Sequence, residues 1–328
     1  VGVNSDVLIV GAGLSGVATA RAASDAGATI RMFDRGRRIG GRMASRRLRD
    51  TGTAFDGRVV DYGASYFTVS DPGFREVVEA MVEEGVARPW TDSFHVHNEG
   101  TMVGVRSGPV RYAAPGGLRT VVEFLARGLP EVTTQTHVES VDVSADRVGV
   151  NDASGKALAL CMPQPQAERL LPSGTLPDVG LTWEPVIAVT LVFEEKTWMD
   201  IDGVFVNDDP VLTWIADDGS RRGDGSPVLV AHVNPVFAAG HLDDPSGVLP
   251  QAIAATRRVL DIEALPAWSW AHRWSLAKPM ASMDEDYWIH SELPLGLAGD
   301  AWAGGPRVEA AWLSGQALGA ALAAIVAK

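Results

Sequence analysis

The chain has 328 residues, 46% hydrophobic and 21% charged, which suits two domains or one large α/β body. Its net charge of −13 argues against a nucleic-acid-binding surface, because phosphate contact needs clustered Lys and Arg, although a local basic patch could still receive a small anion. The single cysteine, Cys161, rules out an internal disulfide and a Cys-based metal cluster, and it fits a reducing, cytoplasmic location.

The first element expected is a strand, Asp6-Val7-Leu8-Ile9-Val10, too short and without the basic flank of a signal peptide. Gly11-Ala12-Gly13-Leu14-Ser15-Gly16 follows at once, then an Ala-rich helix over 17–26, a second strand over 29–33, and Asp34. Strand, G-x-G-x-x-G, helix, strand and acid in that order form a dinucleotide-binding βαβ unit. Gly11 permits the tight turn, Gly13 lets backbone approach a pyrophosphate, and Gly16 lets helix and strand pack closely. Leu14 and Ser15 open the helix, whose N–H groups and dipole favour phosphate, while Asp34 is placed to accept from a ribose hydroxyl.

Asp34 runs into Arg35, and a few residues later comes Gly40-Gly41-Arg42-Met43. A glycine pair followed by Arg, just after the ribose-binding acid, resembles the flavin amine oxidase superfamily. That resemblance implies non-covalent FAD, with Arg35, Gly40, Gly41, Arg42 and Met43 lining its path. Further on, Asp61-Tyr62-Gly63-Ala64-Ser65-Tyr66-Phe67-Thr68 is similar to the renalase-like branch of that superfamily. So are Pro163-Gln164-Pro165-Gln166-Ala167 and His272-Arg273-Trp274, and Gly299-Asp300 with Arg307-Val308-Glu309-Ala310-Ala311-Trp312. The similarity spans nearly the whole chain. It adds Gly63, Ala64, Val138, Gly299, Asp300, Arg307, Val308, Glu309 and Ala311 to the expected cofactor contacts, and it directs the last helix at the flavin. Ser65 stands where the branch usually has Gln, and Gly116-Gly117-Leu118 where P-G-M-S is common, which leaves the substrate open.

The fold expected is α/β: a Rossmann-type FAD-binding domain with a parallel sheet, and an inserted α+β substrate domain on a mostly antiparallel sheet. The first is assigned 1–70, 113–170 and 295–328, and the second 71–112 and 171–294. A helix over 118–126 and strands within 132–150 and 158–162 belong to the first. Asp217-Asp218-Gly219-Ser220 reads as a loop. The apolar run Ala310–Ala327, interrupted by Ser314, Gly315 and Gln316, reads as a buried core helix and not a membrane span.

Hydride transfer to a flavin asks little acid–base chemistry of the protein, so no compact triad is expected. Tyr62, Tyr66, His232, Trp274, Trp288 and Trp302 are the candidates to face substrate, against the plainer reading of each as a packed aromatic or core histidine. His95 and His97 share a strand face without a third ligand at metal spacing, so no metal is expected. The resemblance implies oxidation of aberrant dihydronicotinamide isomers, with hydride passing to flavin N5 and then to O2, giving NAD(P)+ and hydrogen peroxide. Two alternatives stay open: an amine or amino-acid oxidase on the same scaffold, with Lys278 as the lysine to consider, and a non-enzymatic flavin-binding protein. The partner expected is a small molecule, with no nucleic acid or membrane; the oligomeric state is left open.

Overall fold

The computed structural model describes residues 4–328. Its first half contains β1 (Asn4–Val10), α1 (Leu14–Asp25), β2 (Ile30–Phe33), β3 (Ser45–Arg47), β4 (Val59–Asp61), β5 (Phe67–Thr68), α2 (Pro72–Glu83), β6 (Arg88–Asn98), β7 (Thr101–Ala113), α3 (Arg119–Leu125), β8 (Val141–Val143), β9 (Val148–Val150), β10 (Ala153–Leu160) and α4 (Gln164–Ala167). Then come β11 (Trp183–Val192), β12 (Gly203–Val206), β13 (Leu212–Asp217), α5 (Asp218–Arg222), β14 (Val228–Val233), α6 (Pro235–Ala239), α7 (Leu249–Leu260), β15 (Trp268–Pro279), β16 (Trp288–Ile289), β17 (Leu295–Leu297) and α8 (Val308–Val326).

Two sheets carry the architecture. The first runs β16-β17-β10-β1-β2, with β8 and β9 continuing from β10. Its central pairs β17–β10, β10–β1 and β1–β2 are parallel, as a sheet buried on both faces tends to be. Val7, Ile9, Ala157 and Ala159 face α1, α2, α3 and α8, while Leu8, Val10, Leu158 and Leu160 face the opposite apolar layer. The second sheet runs β15-β11-β14-β13-β12-β6-β7-β5, antiparallel except where β12 meets β6. One of its faces, with Ile187, Val189, Leu191, Ile215 and Ala231, is covered by α7 residues such as Ala252, Ala255 and Val259. This is the α/β body with a second, antiparallel layer that the hydrophobic pattern requires.

Helix α8 is long and apolar enough to cross a bilayer, with a mean hydropathy of 1.3. Here it crosses α1 at close range. A Cβ at Gly315 would lie 2.2 Å from the Ser15 carbonyl oxygen, and one at Gly319 would lie 2.3 Å from that of Thr19. The four-residue spacing of the two glycines puts both on one helix face, so backbone meets backbone. The C-terminal helix thereby becomes part of the N-terminal βαβ unit.

Some segments lie elsewhere than the linear reading put them. Helix α2, capped by the Asp71 carboxylate on Phe74 N–H at 2.8 Å, buries Phe74, Val78 and Met81 in the first core and not in the second. Strand β16 pairs with β17, so the first sheet regains the chain before residue 295. The Asp217–Ser220 segment is not a loop. Asp217 caps Ser220 N–H at 2.9 Å and starts α5, which ends on the left-handed Gly223.

Helix α5 joins the two units through buried charge. Arg221, 0% exposed, donates to the Ser65 carbonyl (3.0 Å), the Asp61 carbonyl (3.1 Å) and the Asp218 carboxylate. Arg222 reaches the Asp61 carboxylate at 2.8 Å and Asp218 at 3.1 Å. Arg58 holds Asp218 and, at 3.0 Å, Asp224. Asp61 also accepts from Ser45 Oγ (2.5 Å) and Leu118 N–H (2.9 Å). Three guanidiniums and three carboxylates thus bracket residues 61–65.

Candidate active site

The glycine loop leaves α1 without a side-chain cap and without an acid in its first turn, so the N–H groups of its first turn face the loop unneutralised. A Cβ on Gly16 would collide with the Gly11 carbonyl at 1.8 Å, which is the close packing expected of the third glycine. Above Gly13 there is room: a Cβ there would find only the Gly41 Cα, at 3.7 Å. Gly40 N–H donates to the Ala12 carbonyl at 2.9 Å and docks the Gly-Gly pair on the loop. Asp34 lies at the same edge, accepting from Ala12 N–H (2.7 Å) and Gly36 N–H (2.6 Å); Arg35 beside it is exposed. Close by, Arg119 Nε is buried without a partner, next to Gly40. This cradle fits a dinucleotide: uncapped helix N–H groups for the pyrophosphate and a carboxylate at the ribose position.

Arg42 connects the cradle to the far end of the chain. Its guanidinium grips Asp300 with both arms, at 2.8 and 2.5 Å, and donates to the Ala277 carbonyl at 3.0 Å. Gly299 N–H donates to Ser314 Oγ of α8 at 3.1 Å, and Arg307 is the extended N-cap of that helix, followed by Val308 and Ala311. Gly63 and Ala64 run past Arg42: Ala64 N–H donates to the Arg42 carbonyl at 2.8 Å, and a Cβ on Gly63 would sit 2.0 Å from that oxygen. Met43 is buried beneath the turn.

Two of the expected contacts have other work in the structure. Glu309, 1% exposed, gives its carboxylate to Ser70 N–H (2.6 Å), Ser70 Oγ and Asp71 N–H (2.7 Å), fastening α2 to α8. Burial alone would raise its pKa; those hydrogen bonds and Arg307 bring it below the ordinary value. The Val138 side chain packs in the apolar layer with Phe33 and Val10.

The uncovered face of the second sheet meets residues 61–65. Register places Trp214, His232, Ala188 and His272 side by side across β13, β14, β11 and β15, with Trp270 and Trp274 two residues either side of His272. Tyr62 settles on this face, stacked on Trp274 (centroids 5.6 Å apart) and edge-on to Trp270 (5.2 Å) and His272 (4.7 Å). Trp274 Nε1–H donates to the Tyr62 carbonyl at 2.7 Å. Arg46 lies over Trp270, 3.8 Å from the ring centroid. These half-buried rings form one cage at the junction of the two units.

Both histidines are held neutral. Burial, then the charge of Arg221, bring His232 down to about 4, against a hydrogen bond to the Gly63 backbone. Burial, then Arg46 and Arg273, bring His272 down to about 4. Of the six aromatic candidates the structure brings together Tyr62 and Trp274, with His232 against Gly63. Tyr66 joins a neighbouring cluster with Trp90, Phe94 and Trp214, where burial raises its phenol above the usual value despite Arg111. Ser65 accepts from Trp214 Nε1–H at 3.0 Å in the same region. Trp302, 3% exposed, and Trp288 lie in the apolar layer under the first sheet, apart from the cage.

Trp270, His272 and Arg46 are not among the substrate-facing residues expected from the sequence. A signal existed for two of them: Trp270, His272 and Trp274 alternate at period two, which puts all three on one strand face. Nothing in the local sequence brings Arg46 to Trp270, since that contact joins strands on opposite sides of the domain junction.

A family model described as an NAD(P)-binding Rossmann-like domain matches residues 9–84, the βαβ unit and its extension through α2. Among solved structures, a protein assigned as a protoporphyrinogen oxidase from Exiguobacterium sp. 255-15 superposes with a TM-score of 0.78 at 15% identity, covering 98% of this chain and 99% of that one. Putrescine oxidase bound to putrescine gives 0.72 at 17% identity, covering 100% of both chains. Cyclohexylamine oxidase from Brevibacterium oxydans IH-35A gives 0.69 at 15%, covering 99% and 100%. The chain shares the fold of these oxidases over its whole length.

Proposed function

We propose that the chain is an FAD-dependent oxidase that takes hydride from an aberrant dihydronicotinamide and delivers it, with one proton from solvent, to O2, releasing NAD(P)+ and hydrogen peroxide. FAD, when bound, supplies two-electron acceptance and reactivity with oxygen. The residues that would hold it are Gly11, Gly13, Asp34, Gly40, Gly41, Arg42, Gly63, Ala64 and Asp300, which converge on one path from the glycine loop to the cage. A non-covalent cofactor is supported by Cys161. Its thiol is buried beside Gly16 and Thr19, and burial pushes it up to about 12, leaving no thiolate to form a link.

The cage carries the substrate reading. Tyr62, Trp270, His272 and Trp274 form an aromatic cluster of the kind that stacks a planar ring, and the charges beside it are the cations Arg46 and Arg273. A dihydronicotinamide gives up hydride without first losing a proton, so neutral His232 and His272 are sufficient. An amine bound as its ammonium would meet Arg46 and would have to lose a proton before oxidation. The amine reading keeps the support of the shared fold, putrescine oxidase among its neighbours. Lys278, considered for that chemistry, is exposed on β15 opposite Glu184.

Anaerobic stopped-flow reduction of the flavin tests this directly, with mixed dihydronicotinamide isomers set against primary amines. Fast bleaching by the 2- or 6-dihydro isomers alone, with peroxide on re-aeration, is expected. Bleaching by amines alone would replace the proposal with the amine reading.

A further inference from the structure

Arg46 has an unusual position. It follows Ser45, whose hydroxyl turns inward to Asp61, and comes two residues before Leu48, just past the end of β3. Leu48 packs with Val192, Val228 and Trp268 of the second sheet, and Arg46 lies one step along, its guanidinium carbon over the Trp270 ring. Hairpin β3–β4 therefore presses an arginine onto the cage from the cofactor-binding unit. Stacking engages the face of a guanidinium and leaves its N–H edges free to donate. Among the described residues the Arg46 guanidinium has neither an ion pair nor a hydrogen bond, while those of Arg42, Arg58, Arg221 and Arg222 are all matched by carboxylates. Partial burial lowers its pKa, the direction expected of a cation that lacks a counter-charge. On the floor, Thr190 stands cross-strand from Trp270, fully buried, its hydroxyl without a protein partner.

We infer that Arg46 and the Trp270 face form an anion subsite that takes a phosphate group of the ligand whose planar ring the cage holds. The inference rests on the proposed function for the identity of that ring, and on the chain's own geometry for the anion. It makes Arg46 a specificity-determining residue. The edges of the fork accept two phosphate oxygens, the phosphate supplies the missing counter-charge, and an ammonium in the same place would be repelled. The acidic chain as a whole repels anions, so this local cation is what admits one.

Equilibrium dialysis of the flavin-loaded protein tests it with two ligand pairs: nicotinamide mononucleotide against nicotinamide riboside, and phenyl phosphate against phenol. Wild type should hold the phosphorylated member of each pair more tightly by on the order of 10- to 100-fold, the range of a charge-assisted bidentate pair. Arg46→Met keeps the aliphatic cover over Trp270 and should reduce that preference to within a few-fold. Arg46→Lys keeps the charge without the fork and should retain part of it. Wild type without a preference, or Arg46→Met with the full preference, would overturn the subsite. Should dihydronicotinamides fail to reduce the flavin while the phenyl phosphate preference still depends on Arg46, the proposed function falls and the subsite stands. Should the isomers reduce it with no difference between riboside and mononucleotide, the subsite falls and the function stands.

Discussion

Replacing Asp218 with Asn removes one charge from the junction of the two units and leaves its shape almost unchanged. Asp218 is fully buried and touches Arg58, Arg221 and Arg222, so the substitution leaves three guanidiniums facing only Asp61 and Asp224. Breaking a buried ion pair by removing one partner costs about 3–5 kcal/mol, because the surviving charge is neither paired nor solvated. With an unfolding entropy of about 2.1 cal/mol/K per residue, that becomes a fall of about 4–7 °C in Tm over the chain. Calorimetry and urea titration followed by circular dichroism would measure it. The pH dependence gives a second reading. Burial alone would raise the Asp218 pKa, but the charges of Arg222, Arg221 and Arg58 hold it far below the usual carboxylate range. A depressed folded-state pKa gives stability that is complete above the unfolded value of 3.8 and is lost progressively as the pH falls from there towards the depressed folded-state value. Wild type and Asp218→Asn should therefore differ most near neutrality and converge in acid. A loss below about 1 kcal/mol at pH 7, or a difference that does not narrow at all as the pH falls from 7 to 2, would refute a buried network and indicate one open to water.

Other outcomes follow from the same geometry. Asp34→Ala should weaken flavin retention about tenfold or more, read by flavin released on gel filtration, with the βαβ unit still folded by circular dichroism. Gly319→Val should destabilise by about 1–3 kcal/mol or more in urea titration, because its Cβ would sit 2.3 Å from the Thr19 carbonyl oxygen; a neutral result would mean that α8 does not lie against α1. NMR titration of His232 and His272 should show both neutral from about pH 5 upward, and Arg46→Met should raise the His272 pKa from about 4. Their lowered pKa values make a stability contribution that is present above the unfolded value of 6.5 and lost as the pH falls towards 4. Native Cys161 should resist thiol reagents and react only on unfolding; prompt reaction would show that β10 is accessible.

The amino-acid sequence by itself determined the βαβ cradle. Strand, glycine loop, helix and acid are all local, with spacings dictated by backbone geometry, and the structure builds them where the spacing puts them. Strand alternation likewise placed His232 on the face opposite Ala231 and Val233, which lie in the core under α7. Only the tertiary structure decided the rest. Asp217–Ser220 reads as a polar loop because nothing local says that Arg221 and Arg222 will be buried against Asp61, more than 150 residues earlier in the chain. Trp288 and Trp302 carry the same local aromatic signal as Trp274, yet they pack beneath the first sheet, because β16 and β17 pair there. Arg46 came to Trp270 through the docking of a hairpin from one unit on a sheet of the other. Charge and aromatic surface at such a junction are set by which faces meet, and that is fixed by long-range packing that no window of sequence contains.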